Sequence, residues 1–235
     1  MPVLASVIGC DQRMTNQRWI AVLNKDLRSE IRTRYGITTL ALFVVTVVSL
    51  LAYATAEEPL DKPIVAGVIW ILMFFTAMSG LGRGFMSEEE RGTSLYLRLS
   101  APTSSVYWGK LAGNLVFSLL SNLALILLFL ILMPLVHVGS IGLLLLTVVL
   151  GSCGLATVVT ITSAIVAKAG SRNALLPVLS FPLLLPLVMP GIQATLYALA
   201  GLELADAWGD VSVMIAHTGI VAVVSWLVFG VLWEE

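Results

Sequence analysis

The sequence predicts an all-α membrane protein with six transmembrane helices and both termini cytoplasmic. Three observations predict it. The 235 residues are 58% hydrophobic and only 11% charged, whereas a soluble domain carries about 25% charged residues. Those few charges are clustered, so that no Asp, Glu, Lys or Arg occurs from Gly36 to Ala56, Ile64 to Gly82, Leu111 to Ala167, Asn173 to Leu202 or Val211 to Trp233. No long alternation of period two is present, which argues against a membrane β-barrel. The composition excludes a cytosolic enzyme, a nucleic-acid-binding module and a disordered chain. The length suits a single membrane domain over residues 1–235.

A span needs about 20 apolar residues, because ~1.5 Å per residue must cross ~30 Å of hydrocarbon. The first, second and last charge-free runs each fit one span, at about 37–56, 64–82 and 211–233. The run from Leu111 to Ala167 fits two, at 111–134 and 141–167, with a hinge from Pro134 to Ile141. The run from Asn173 to Leu202 is too long for one span and too short for two. Its prolines at 177, 182, 186 and 190 each remove a backbone donor and kink a helix, and such breaks survive at membrane depth where protein or a cavity covers them. A span ending near Pro190-Gly191 and a separate outer-surface helix over 192–207 are expected.

Charge sets the orientation. Arg13, Arg18, Lys25, Arg28, Arg32 and Arg34 precede the first span. Arg83, Arg91, Arg98 and Lys110 lie between spans two and three, and Lys168 and Arg172 between spans four and five. The other three loops hold only Lys62. Twelve basic residues against one place the first set in the cytoplasm. The outer loops are acidic, with Glu57, Glu58 and Asp61 in one and Glu203, Asp206 and Asp210 in another. The segment Val7-Ile8-Gly9-Cys10 loosely resembles a lipoprotein cleavage site, but the stretch before it is short and has no basic n-region.

Two cytoplasmic segments stand out. Over 18–35, Trp19, Leu23, Leu27 and Ile31 recur every four residues with Ile20 beside them, while Arg18, Lys25, Arg28 and Arg32 cluster opposite. That pattern predicts a basic amphipathic helix in the membrane interface, either a plain anchor or one that also touches a cytoplasmic partner. In the loop of 83–110, Ser87 followed by Glu88, Glu89 and Glu90 forms a capping box with carboxylates favoured by the helix dipole. Arg91, Gly92, Leu95, Leu97 and Leu99 follow, and Ala101-Pro102 ends the element. A short helix over 87–99 is expected below the bilayer, either as a solvated loop helix or as a knob for a groove on a cytoplasmic protein.

Candidate chemistry is sparse. The charge-free runs contain no ionisable carboxylate or amine that would mark an ion path. Gly109-Lys110 lacks the rest of a P-loop, so the chain does not bind ATP by that motif. Two cysteines, Cys10 and Cys153, exclude a disulfide framework, a zinc site and a CxxCH haem attachment. The span residues Gly151, Ser152, Gly154 and Ala156 permit close helix packing. His137 and His217 could serve as haem ligands or as hydrogen-bonded residues near the interfaces. Gly151-Ser152-Cys153-Gly154 with Ala216-His217-Thr218-Gly219 is similar to the rhomboid intramembrane proteases. Cys153 stands in the serine position, however, and Ile220 replaces the last glycine. Cys153 is also about twelve residues into its span and His217 about six, a depth mismatch of ~9 Å for groups that must lie within about 3 Å.

The run Ser79-Gly80-Leu81-Gly82, Phe85, Glu88-Glu89-Glu90-Arg91-Gly92-Thr93, Leu97-Arg98-Leu99, Pro102, Gly109-Lys110-Leu111 and Asn114 resembles the CcmB family of haem exporter membrane subunits. So do Ser171-Arg172, Leu175-Leu176-Pro177, Pro182-Leu183-Leu184, Pro186 and Ala194-Thr195, and the N-terminal Lys25-Asp26-Leu27-Arg28-Ser29-Glu30, Arg32 and Arg34-Tyr35. Where some members place a Glu after the leucine that follows the glycine, this chain has Tyr96. The resemblance implies a six-span subunit of the type-2 ABC exporter fold in a bacterial inner membrane, acting in c-type cytochrome maturation system I. Its implied partners are a cytoplasmic ABC ATPase that binds the ATP, a Trp-rich haem-handling membrane subunit, a small single-span subunit, the haem chaperone and membrane lipid. Haem is the implied cargo, with no cofactor held by this chain. The resemblance makes Ser87, Glu88, Glu89, Glu90, Arg91, Gly92, Leu95 and Leu97 the coupling helix that docks on the ATPase. The amphipathic helix of Trp19, Leu23, Leu27, Arg28, Ile31 and Arg32 becomes a second contact. A lipid or polysaccharide permease of the same fold is the alternative.

Overall fold

A computed structural model describes residues 35–55, 60–81, 102–168 and 175–234, together with Phe85, Glu88 and Gly92. These residues form six helices and, among the described residues, no strand: α1 Tyr35–Ala54, α2 Lys62–Gly80, α3 Thr103–Leu132, α4 Ile141–Lys168, α5 Leu175–Ala200 and α6 Leu204–Glu234. The helices α2 to α6 are each long and apolar enough to cross a membrane, and α1 adds a shorter apolar stretch over Ala41–Ala54. The amphipathic helix expected over 18–35 lies outside the described residues.

The bundle is arranged around α4. In its most apolar window 72% of residues are buried, against 11% for α6. The small residues of α4 account for this, because Gly151, Ser152, Gly154 and Ala156 are all buried and let neighbouring helices approach closely. Leu120, Leu127, Ile131, Val178, Ile220, Val223 and Val231 point outward and stay exposed. So much exposed apolar surface matches a hydrocarbon surround rather than water.

Helix boundaries differ from those expected at several places. Charge-free runs mark the apolar interior, whereas helices start at chain punctuation. Thus α3 begins directly after Pro102, eight residues before Leu111, and carries Lys110 inside its third turn. No break occurs at Pro190-Gly191. Helix α5 continues through Pro182, Pro186 and Pro190 to Ala200, and α6 follows from Leu204, so the separate helix expected over 192–207 is absent. Each proline deletes a single amide donor, while Pro177 sits in the first turn, where helix amides have no intrahelical acceptor. The far part of α5 is held from both sides. Trp70 of α2 donates its indole N–H to Thr195 Oγ1 at 3.0 Å, and the Ser140 amide donates to the Ala198 carbonyl at 2.9 Å. Gly201 ends α5 with φ 83° and packs so close to Gly139 that a Cβ on Gly139 would come within 2.3 Å of the Gly201 Cα.

Trp70 is the knob of this packing, 2% exposed. It rests on Gly151 of α4 and Gly191 of α5, where an added Cβ would meet its ring at 2.8 Å and 1.9 Å. Gly191→Ala is therefore expected to overpack the bundle and cost about 1–3 kcal/mol, lowering the thermal midpoint in detergent. Gly67→Ala on the same α2 helix has no heavy atom within 4 Å of its new Cβ and should leave the midpoint unchanged or raise it.

Candidate functional site

One end of the bundle carries a second, separate core. The start of α3 contributes Val106, Tyr107 and Leu111, the end of α4 Ile161 and Ala164, and the end of α6 Phe229 and Trp233, while Phe85 enters from the segment between α2 and α3. Phe229 and Trp233 are four residues apart and so share one helix face. Their rings stack at 5.1 Å. Phe85 packs against both, at 5.6 Å from Phe229 and 6.2 Å from Trp233. Tyr107 lies 5.4 Å from Phe229 and donates its hydroxyl to the Ala222 carbonyl of α6 at 3.2 Å.

A charge pair is set into this aromatic cluster. Lys110 Nζ lies 2.9 Å from Glu88 Oε1, with side chains 3% and 7% exposed. The same ammonium lies 5.2 Å from the centre of the Phe85 ring, within cation–π reach. Neither charge has enough water to stand alone, so each constrains the position of the other. The segment that holds Phe85 and Glu88 is thereby fixed to α3 through Lys110 and to α6 through the aromatic rings.

From Lys110 a polar seam runs up α3 at intervals of four residues, through Asn114, Ser118 and Asn122. Asn114 Nδ2 donates to Thr160 Oγ1 at 2.8 Å. Ser118 Oγ donates to the Ser152 carbonyl at 3.2 Å, and Asn122 Nδ2 to Ser152 Oγ at 2.9 Å. The α3 numbers rise as the α4 numbers fall, so the two helices are antiparallel. The seam from Lys110 to Asn122 is ~18 Å long at helical rise. A displacement at the ion pair would therefore act on the α3–α4 contact along its buried length.

The structure changes the role expected of several residues. Glu88, read as a partner-facing carboxylate, is 5% exposed and turned into the bundle onto Lys110. Phe85 is already helical, ahead of the cap expected at Ser87. Gly92 is an exposed turn with φ 65°, a left-handed conformation that glycine accommodates without strain. Ser87, Glu89, Glu90, Arg91, Leu95 and Leu97 lie outside the described residues, as do Trp19, Leu23, Leu27, Arg28, Ile31 and Arg32. The α5 prolines take no part in the aromatic cluster. His137 is exposed in the α3–α4 connection. His217 Nε2 bonds the Leu183 carbonyl of α5 at 2.9 Å. No hydrogen bond joins Cys153 to His217 among the described residues, so the nucleophile–base contact of an intramembrane protease is not formed. No group of His, Cys, Asp or Glu that could hold a metal occurs among the described residues. Sequence reasoning did not select Tyr107, Lys110, Phe229 or Trp233 as site residues. The signals were present: a lysine directly before a charge-free run, and an aromatic pair at helical spacing near the end of the last span.

The CcmB protein family matches residues 17–231, nearly the whole chain, the site included. The chain belongs to the CcmB family. That family supplies the membrane component of a haem-exporter ABC transporter for cytochrome c maturation, a permease subunit that works with an ATPase and is not itself the catalyst. The chain is accordingly a multi-pass membrane protein. No curated protein matches the sequence.

Two outcomes are expected from this geometry. Lys110→Met or Glu88→Leu removes one half of a buried ion pair and should destabilise the protein by about 3–5 kcal/mol. The double variant should recover much of that loss, which a double-mutant cycle of thermal midpoints in detergent would measure. Cys153→Ala should leave cytochrome c maturation intact in a complementation assay, because the thiol has no hydrogen-bonded partner among the described residues.

Proposed function

We propose that this CcmB subunit couples ATP hydrolysis on a separate cytoplasmic ATPase to haem delivery, through release of the haem-loaded chaperone. The observation that carries the reading is the Glu88–Lys110 pair with its aromatic surround. Force on the segment between α2 and α3 must reach α3, α4 and α6 by some contact, and this buried clamp is the contact at hand. A loop joined to the bundle only by flexible backbone would absorb a push instead of passing it on.

The reading has six spans in a type-2 exporter arrangement, with α1 as the first. Both termini and the clamp face the cytoplasm, as twelve basic residues against one support, and the membrane is the bacterial inner membrane. Glu89 and Glu90 form the surface offered to the ATPase, while Glu88 anchors that surface from behind. The amphipathic helix at 18–35 is a second contact. The proline run of α5 supplies a compliant element against the rigid α3–α4 pair. The Trp-rich haem-handling subunit, the small single-span subunit and the haem chaperone complete the assembly.

Reversing Glu89 and Glu90 to Lys should leave membrane insertion and subunit co-purification intact while ATPase activity is no longer linked to cytochrome c maturation. Normal maturation in that variant would sink the reading. Purification in mild detergent separates this function from lipid or polysaccharide export, since only haem delivery requires a haem-handling membrane subunit in the complex.

A further inference from the structure

We propose that α6 is a jointed helix that bends at Gly219, so that its last third moves with the Glu88–Lys110 clamp while its first third stays in place. The proposal rests on the coupling role given above to that clamp. It starts from the burial pattern of α6. Ala207, Val211 and Met214 are buried, and so are Ser225, Phe229 and Trp233. Those residues recur at intervals of three and four, which is one helix face turned to the bundle. The same line passes through Thr218 and Ala222, yet no residue from Ile215 to Val224 is buried. About three helical turns therefore lack the packing that holds the parts on either side.

Two side-chain hydrogen bonds span this stretch. His217 Nε2 donates to the Leu183 carbonyl of α5, and the Tyr107 hydroxyl of α3 donates to the Ala222 carbonyl. His217 Nδ1 and Thr218 Oγ1 are buried without a hydrogen-bond partner, so the polar groups here are only partly matched. Gly219 lies between the two bonds, and a Cβ there would meet no heavy atom within 4 Å. Close packing does not require this glycine, unlike Gly151 and Gly191. What it brings is a helix that bends at lower cost, because glycine holds a helix less firmly than alanine. On its open side the joint presents Ile215, Ile220, Val223 and Val224, all exposed, so no packed neighbour blocks a bend. The ends are held differently. The start of α6 follows closely on Gly201, which abuts Gly139. The last turns carry Phe229 and Trp233, which pack on Phe85. A push on the segment between α2 and α3 thus reaches α6 on one side of the joint only.

The test uses the full chain in complex with its ATPase. Two α6 glycines form a matched pair, because a Cβ on Gly209 also meets no heavy atom within 4 Å. Gly219→Ala and Gly209→Ala should each leave the thermal midpoint unchanged or raise it. In cells, Gly219→Ala should lower cytochrome c maturation about fivefold, the factor that the helix preference of alanine over glycine corresponds to, while Gly209→Ala should mature cytochrome c normally. Spin labels on Val213→Cys and Val231→Cys, both at exposed positions, share one face ~27 Å apart at helical rise; Cys10 and Cys153 are replaced by Ala in that chain. A bend of ~20° should shift the label distance by about 3 Å between the nucleotide-free and ATP-bound complex, and Gly219→Ala should abolish the shift. Full maturation with Gly219→Ala, a shift that persists in that variant, or a loss of maturation accompanied by a lowered midpoint would each overturn the joint. A label distance that stays constant, while reversal of Glu89 and Glu90 still uncouples the ATPase, would overturn the joint and leave the coupling role standing.

Discussion

A buried lysine and a buried glutamate have to find each other, and in this protein the Lys110–Glu88 contact at 2.9 Å decides how one end of the bundle is built. With so little water around them, losing this contact costs several kcal/mol. The pair forces α3 to begin early enough for Lys110 to be helical. It also forces the segment after α2 to turn inward, so that Phe85 comes under the ammonium. Once Phe85 is there, Phe229 and Trp233 have a ring to pack on, and the end of α6 joins the same cluster. A connecting segment becomes part of the membrane domain in this way.

The opposite end is held by a different kind of contact. There glycines replace charges. Gly139 meets Gly201 backbone to backbone, and Trp70 fills the space left by Gly151 and Gly191. Such contacts depend on shape and tolerate little displacement, because a dense interior has no spare volume. The charged and aromatic end is instead held, among the described residues, by the Lys110–Glu88 pair and ring contacts. The polar seam of Asn114, Ser118 and Asn122 joins the two, keeping α3 and α4 in register between them.

Most of the architecture was legible because a bilayer imposes simple rules. Charge-free length marked the five helices long and apolar enough to cross a membrane, the connection from Pro134 to Ile141 falls where α3 gives way to α4, and the motifs around Glu88 and Pro182 pointed to the family that matches residues 17–231. The reading failed where a local rule met a tertiary contact. Prolines at 182, 186 and 190 argued for a broken segment, yet Trp70 and Ser140 hold the end of α5 in line. A row of three glutamates argued for a solvated acidic face, yet the first of them is buried. Helix periodicity could not separate Glu88 from its neighbours, because its partner lies 22 residues away.

The sequence by itself determined that this chain lives in a membrane, which runs are apolar enough to cross it, and which family it resembles. These properties follow from composition and spacing, and the solvent enforces them on each helix separately. Only the tertiary structure decided which polar residues face each other: Lys110 with Glu88, Trp70 with Thr195, His217 with the Leu183 carbonyl. The physical reason is that apolar spans are nearly interchangeable to the lipid around them. What distinguishes one packing from another is the small set of hydrogen bonds, charges and glycine contacts that fit only when particular helices meet.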